Sequence, residues 1–327
     1  MLLPQSPTMT RYIQAATLLG CLSLIACAYD DFVQAWYIVW RIASGICGGL
    51  IMILAPSIVA QCCDLKDRLQ INFIGFSGIG FGVLLATLFL PYLDRISTQS
   101  AWFILAAFSI LISMMIWFYL NHFKSKLANS KSNHSNKIEI NAFFISLLAV
   151  YGASAFAYVP HSLFWIDYLT EVLDLSLYWI NINWILYGLG SAFGAFTSFV
   201  LARRFGNITA LKILYSCYIF AVFIAIFKSI SFFTLISSFL TGLLNPAVVF
   251  LTSYTILMHY TDSYKTRWSL ATILFALIQL IGGLSFSGLQ ILGINYDQQF
   301  LLASLVLFIG TAQFFWFTKD RRKIENS

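Results

Sequence analysis

Charge is what this sequence has least of: Asp, Glu, Lys and Arg make up only 10% of its 327 residues. A soluble domain carries roughly 25%, so the deficit excludes an ordinary water-facing surface and points to a chain solvated by lipid. Carboxylates are missing altogether from the long apolar runs, and there is no HExxH pair, no phosphate-binding loop and no paired His or Cys cluster. A hydrolase or metalloenzyme working inside a membrane needs such groups to hold a metal or activate water. The expectation is therefore no enzyme chemistry, no metal site and no cofactor. Cysteine is sparse too: Cys21, Cys27, Cys47 and Cys217 lie in apolar runs, and Cys62 and Cys63 at a loop edge. Without CxxC spacing or a neighbouring His, they are predicted to be free thiols.

What fills the chain instead is apolar. Hydrophobic residues account for 60% and aromatics for 17%, including 31 Phe, and the mean hydropathy is +0.82. A hydrocarbon core about 30 Å thick needs about 20 apolar residues of helix. Windows of that kind fall near 12–29, 35–60, 71–91, 101–121, 141–165, 178–201, 208–227, 230–258, 268–290 and 298–317. The prediction is an all-α, polytopic transmembrane bundle of ten spans. Leu24-Ile25-Ala26-Cys27 has the form of a lipoprotein cleavage box, but nothing after it resembles a soluble domain, and it is read as part of the first span.

The one sustained polar stretch inside the chain, HFKSKLANSKSNHSNKIEI at 122–140, divides the spans four and six. The predicted organisation is a half-bundle over 1–121, a linker over 122–140, a six-span half-bundle over 141–318 and a tail over 319–327. With the N-terminus inside, only Arg95 and Lys228 among the basic residues fall outside, and Arg41 lies within a span. Lys and Arg set topology in this way, whereas carboxylates divide evenly, so both termini are expected in the cytoplasm. The net charge of +6 therefore reads as a topology signal and not as a nucleic-acid surface.

Within the spans, Gly45-x-x-x-Gly49, Gly78-x-x-x-Gly82 and Gly190-x-x-x-Gly194 each place two small residues on one helix face, which lets backbones approach. Packing is the simplest reading. The density of Gly75, Gly78, Gly80 and Gly82 in one span also suits a helix that slides or bends. Arg41 is the only charge well inside a span, and a charge at that depth faces a cavity or a partner, or snorkels to the interface. Tyr151, Ser154, Tyr158, His161 and Trp165 follow at spacings that put them on one helical face. For Tyr151, Ser154 and Tyr158 the reading is a cavity lining. Trp165 reads as an interfacial anchor. His161 counts with the cavity candidates, although a hydrogen-bonded structural ring is the simpler role. A thinner polar line, Thr241, Asn245 and Thr252, runs beside Pro246, and Gln279 is a further buried polar group. Each of these is either cavity lining or interhelical glue.

Four spans, a basic central loop and six spans resemble a twelve-helix major facilitator whose first two helices are missing. Tyr37-x-x-x-Arg41-x-x-Ser44-Gly45 resembles the helix-four motif of that superfamily, with its buried Arg. The segment Gly75 to Gly82 is similar to its glycine-rich helix-five motif without the Pro typical of antiporters, and Leu201-Ala202-Arg203-Arg204-Phe205-Gly206-Asn207, placed in a short cytoplasmic turn, resembles its basic loop. Arg41-Ile42-Ala43-Ser44-Gly45, Gly75 to Gly82, and Trp184-x-x-x-Gly188 before Ala202-Arg203-Arg204-Phe205-Gly206 look like the YbfB/YjiJ-type branch. Gln279 fits that branch's eleventh helix, with Ile281-Gly282-Gly283 in place of an expected Pro.

The resemblance implies a secondary transporter of the bacterial inner membrane. It would carry a small organic solute by alternating access around a midplane site, with Arg41 engaging an anionic group. Helices one, four, seven and ten line the cavity in that superfamily, and three of them correspond to the second, fifth and eighth spans here. Those spans carry Arg41 and Ser44, the Tyr151 to His161 face, and Asn245. Proton coupling and uniport both remain open, as does the oligomeric state. The rival expectation is a truncated, non-transporting remnant or a membrane scaffold of the same family, because the absent pair includes one cavity helix.

Overall fold

A computed structural model of the protein describes residues 6–29, 33–64, 66–93, 96–129, 140–227 and 231–325. Among the described residues regular structure is helical throughout, with no strand. The long helices are α1 (Ser6–Ala26), α2 (Gln34–Cys62), α3 (Arg68–Leu93), α4 (Thr98–Asn129), α5 (Ala142–Leu163), α7 (Leu177–Phe205), α8 (Asn207–Phe223), α9 (Ser231–His259), α10 (Tyr264–Ile291) and α11 (Tyr296–Glu325). Between α5 and α7 lie a single turn, α6 (Trp165–Asp167), and a π-helical turn, Tyr168–Val172. Among the described residues ten helices are long and apolar enough to cross a membrane, one for each predicted span. Most of the predicted linker, residues 130–139, lies outside the described residues, as do Asp30, Asp31, Asp94, Arg95 and Lys228.

Local chemistry sets the helix ends. Pro7 sits in the first turn of α1, where its missing N–H costs nothing. Asn141 caps α5, its side chain accepting the Phe144 N–H at 2.9 Å. That helix stops at Leu163 and not at 165 as predicted, because Phe164 leaves helical geometry with φ -115° and ψ 2° while its N–H still donates to the Pro160 carbonyl oxygen at 3.1 Å. By contrast α7 runs to Phe205, past the predicted end at 201. Arg203 and Arg204 thus lie in its last turn and not in the expected loop, where their charges face the negative end of the helix dipole. Gly206 makes the reversal into α8 with φ 77° and ψ 160°, and its N–H donates to the Ala202 carbonyl oxygen at 3.0 Å. That conformation is essentially reserved for glycine. Gly206→Ala is expected to destabilise the protein by about 1–3 kcal/mol, read as a lower thermal midpoint in detergent micelles.

The chain forms two compact units. The first takes residues within Met1–Ile71, Phe89–Asn136 and Tyr260–Thr272, and the second takes Asn72–Leu88, Lys137–His259 and Ile273–Ser327. In the first unit α1 packs on α2 and α4 over an apolar cluster of Met9, Ile13, Ile53, Leu54 and Ile58, with Ile116 against it. Lipid supplies no hydrogen bonds, so buried polar groups must pair within the protein. The Trp36 indole N–H donates to the Ala26 carbonyl oxygen at 3.0 Å and the Ser23 hydroxyl to that of Trp40 at 2.6 Å. The Trp117 indole donates to the Thr17 hydroxyl at 2.9 Å, and that of Trp268 to the Met52 carbonyl oxygen at 2.9 Å.

In the second unit α9 lies along α7, while α8 packs on α9 and α11, and α11 on α5. Glycines bring α7 and α9 to backbone contact. A Cβ on Gly190 would collide with the Phe239 carbonyl oxygen and stand 2.9 Å from the Leu243 nitrogen. A Cβ on Gly194 would come within 3.2 Å of the Ala247 nitrogen, and one on Gly242 within 2.9 Å of the Tyr187 carbonyl carbon. Serines stitch the same seam: the Ser191 hydroxyl donates to Gly242 at 3.1 Å and that of Ser198 to Ala247 at 2.8 Å.

Candidate functional site

The polar face of α5 is built into the interior of the second unit. Tyr151 is buried with its ring 4.7 Å from Phe275. The Ser154 hydroxyl donates back to the Tyr151 carbonyl oxygen at 2.7 Å and also lies within hydrogen-bonding reach of the Tyr215 hydroxyl, which pairs with Thr252 on α9 at 3.2 Å. One turn further, the half-buried Tyr158 shares a short hydroxyl–hydroxyl bond with Tyr187 on α7.

His161 is fully buried, with Nε2 2.8 Å from the Ser237 hydroxyl. That hydroxyl donates its single proton to the Ala221 carbonyl oxygen at 2.7 Å, so it must accept from the ring. The imidazole is therefore protonated at Nε2, and its bare Nδ1 is buried without a hydrogen-bond partner. The ring stacks on Trp165 at 4.5 Å and meets the Phe300 ring edge-on at 5.1 Å. The structure thus places His161 in a packed seam of α5, α8, α9 and α11.

Trp165, expected as an interfacial anchor, is instead buried on α6. Its indole N–H donates to the Ser238 hydroxyl at 2.9 Å, which donates to Asn183 Oδ1 at 2.8 Å, and Asn183 Nδ2 donates to the Trp179 carbonyl oxygen at 2.9 Å. Sequence reasoning missed Ser237, Ser238 and Asn183. The available signal was spacing: the two serines continue the Thr241–Asn245 line one turn back along α9. Ser238→Ala would strip a partner from both the Trp165 indole and the Asn183 amide. It is expected to cost about 1–3 kcal/mol, visible as a lower thermal midpoint. Nearby, Tyr168 donates to the Ala225 carbonyl oxygen at 2.8 Å. Burial first, and then the Asp297 carboxylate, raise the pKa of its phenol above the ordinary range, so it stays a donor.

On α9, Thr241 Oγ1 and Asn245 Oδ1 are buried without a hydrogen-bond partner, while Gln279 is half-buried on α10. In the first unit Arg41 is exposed on α2, its guanidinium 5.6 Å from the centre of the Trp102 ring, and Ser44 is half-buried one turn on. Asp64, the nearest described carboxylate along the chain, follows the far end of α2, which from Arg41 to Cys62 runs roughly 30 Å at about 1.5 Å per residue. Asp262 follows Thr261, which bonds Arg68 at 3.5 Å near that same far end.

Of the small residues singled out, Gly190 and Gly194 sit in the α7–α9 seam, whereas Gly45, Gly49, Gly75, Gly78 and Gly82 have open space where a Cβ would stand. The close contact of α3 is made by Gly80, against the backbone of Ser191 and Ala192. Arg203 lies 5.6 Å over the Phe199 ring and Arg204 5.3 Å over that of Phe205. The predicted Arg41 and Ser44 are thus together in one unit, and Tyr151, Ser154, Tyr158, His161 and Asn245 in the other. Among the described residues no group of three His, Cys, Asp or Glu is placed to hold a metal.

Solved structures with this helix arrangement are major facilitator transporters. The chain is similar to the human organic anion transporter MFSD10 (TETRAN), with a TM-score of 0.68 and 17% identity over 94% of this chain and 80% of that one. A bacterial homologue of the iron transporter ferroportin, in its outward-facing state, matches with a TM-score of 0.64 and 14% identity over 97% and 84%. The proton:xylose symporter XylE bound to 6-bromo-6-deoxy-D-glucose matches with 0.72 and 12% over 94% and 80%. At such identities the likeness is one of fold. No sequence among the curated proteins matches the chain. The family assignment comes from sequence: residues 4–313 match the family described as uncharacterised MFS-type transporter YbfB, and the chain belongs to it. It is a multi-pass membrane protein of the major facilitator superfamily, as the motifs led one to expect.

Proposed function

We propose that the chain is a secondary transporter that moves a small anionic organic solute across the bacterial inner membrane by alternating access, with both termini cytoplasmic. The observation that carries this reading is Arg41. It is an exposed guanidinium about two turns inside an apolar span, and the carboxylates described in its unit stand at the far end of the helix. A charge in that setting is retained where it meets a charged ligand, and the planar guanidinium suits a carboxylate or phosphate through paired N–H donors. The concentration of Lys and Arg in loops on one side supports the orientation.

The test uses purified protein in liposomes offered a pool of small carboxylates, with uptake read by mass spectrometry against empty vesicles. Enrichment of a carboxylate inside protein-bearing vesicles is expected; none above empty vesicles counts against transport. Uptake is also expected to ignore an imposed pH gradient. His161 is locked between Ser237 and two aromatic rings, and no carboxylate lies in the middle of a span. Uptake that rises with an inward proton gradient would contradict uniport.

A further inference from the structure

Inside the second unit, one level of the helix packing differs from those on either side. On α8 and α9 two contacts set the antiparallel register: Tyr215 with Thr252, and Ala221 with Ser237. Tyr218 lies between the first pair's level and the second's on α8, and Thr241 and Asn245 lie between them on α9. On α5, Ser154 faces Tyr215 and His161 faces Ser237, which puts Tyr158 at the same intermediate level. On α7, Tyr187 backs onto Gly242. The Tyr158–Tyr187 hydroxyl pair therefore stands at the level of Tyr218.

At the neighbouring levels Ser191, Ser198, Ser237, Ser238 and Tyr215 all have hydrogen-bond partners, and a single ring nitrogen, His161 Nδ1, is left without one. At this level Tyr218 Oη, Thr241 Oγ1 and Asn245 Oδ1 are buried with none, and Tyr218 and Thr241 are fully buried. Orphaned polar atoms in a membrane interior are expensive, and clustered ones mark a missing partner.

We propose that Tyr218, Thr241 and Asn245, together with the Tyr158–Tyr187 pair, form a hydrogen-bonding site for a neutral hydroxyl oxygen, supplied by water or by a polyol. The donor set decides the class. Two hydroxyls both donate and accept, and an amide oxygen accepts, which matches an O–H group able to do both. No Asp, Glu, Lys or Arg stands in these stretches of α5, α7, α8 and α9, so a charged ligand would be left uncompensated in low dielectric. A buried water is held by two to four polar partners, and this level offers that number. Tyr158 and Asn245 are only half-buried, which gives the ligand a way in. The site stands whether or not the chain transports a solute.

Radiolytic hydroxyl-radical labelling of the protein in liposomes tests this, because buried side chains are oxidised where a bound water lies beside them. Tyr187 and Tyr218 are expected to label several-fold faster than Tyr168, which is also buried but donates to the Ala225 carbonyl oxygen. Added erythritol, itself a radical scavenger, separates the two sources when read against Tyr168 in the same sample: labelling slowed more than that of Tyr168 assigns a polyol, and labelling slowed equally assigns water. Thermal midpoints in micelles supply an independent sign. Tyr218→Phe and Thr241→Val each remove a hydroxyl, which lowers the midpoint if a ligand is bound and raises it if the atom is an orphan in a dry seam. Labelling no faster than that of Tyr168, or a raised midpoint in both variants, overturns the proposal.

Discussion

Arg41→Ala is expected to bring solute uptake in liposomes down to the level of empty vesicles, with Arg41→Lys retaining a small fraction. The guanidinium sits about two turns into α2, over the Trp102 ring. Truncating one member of a desolvated, hydrogen-bonded charge pair costs about 2–5 kcal/mol, which is about 30-fold or more in affinity at 1.4 kcal/mol per tenfold. Lysine keeps the charge but loses the paired N–H geometry, so partial retention separates the two contributions. A stability readout keeps the experiment clean. Because Arg41 is exposed, replacing it is expected to leave the thermal midpoint near that of the unmodified protein. Unchanged uptake by a folded Arg41→Ala protein removes Arg41 from the mechanism.

Gly190→Leu is expected to abolish recovery of folded protein from the membrane, while Gly78→Leu is tolerated. Both glycines belong to small-x-x-x-small pairs, and their surroundings separate them. At Gly190 the added side chain would start inside the Phe239 carbonyl of α9, and its other neighbour is again backbone, so no flexible group can yield. Relief requires α7 and α9 to part, which breaks the Ser191–Gly242, Ser198–Ala247 and Ser238–Asn183 bonds. Overpacking a rigid contact alone costs about 1–3 kcal/mol, and interhelical hydrogen bonds in membranes add about 0.6 kcal/mol each. At Gly78 there is nothing within 4 Å. Size-exclusion profiles of detergent-extracted protein read both variants; a monodisperse Gly190→Leu peak of normal yield would contradict the described seam.

The spans were legible because lipid imposes a length and an apolar composition that no tertiary contact overrides. Their ends were less so. Phe164 leaves helical geometry and ends α5 before Trp165, and Arg203 and Arg204 extend α7 into what reads as a loop, since helix-forming residues continue until Gly206 stops them. The polar face of α5 was legible as a face, but periodicity says only which side chains share a direction. Whether that direction holds a cavity or another helix depends on residues far along the chain. Ser237 and Phe300 turn His161 into a packed ring, and Ser238 does the same for Trp165. The glycine motifs carry the same ambiguity. Gly190 and Gly194 meet a backbone while Gly75, Gly78 and Gly82 do not, and the contact of α3 falls on Gly80 between them.

Alternating access around the Arg41 face is the centre of the account, and cysteine accessibility tests it without knowing the solute. In a protein whose native cysteines are replaced by alanine, Ser44→Cys places a thiol one turn from Arg41, on the same face of α2. A membrane-impermeant maleimide is applied to liposomes of uniform orientation, from one side or the other. The account predicts that the thiol is labelled from either side, because the same face opens to each in turn. Labelling from one side only, or from neither, would contradict it.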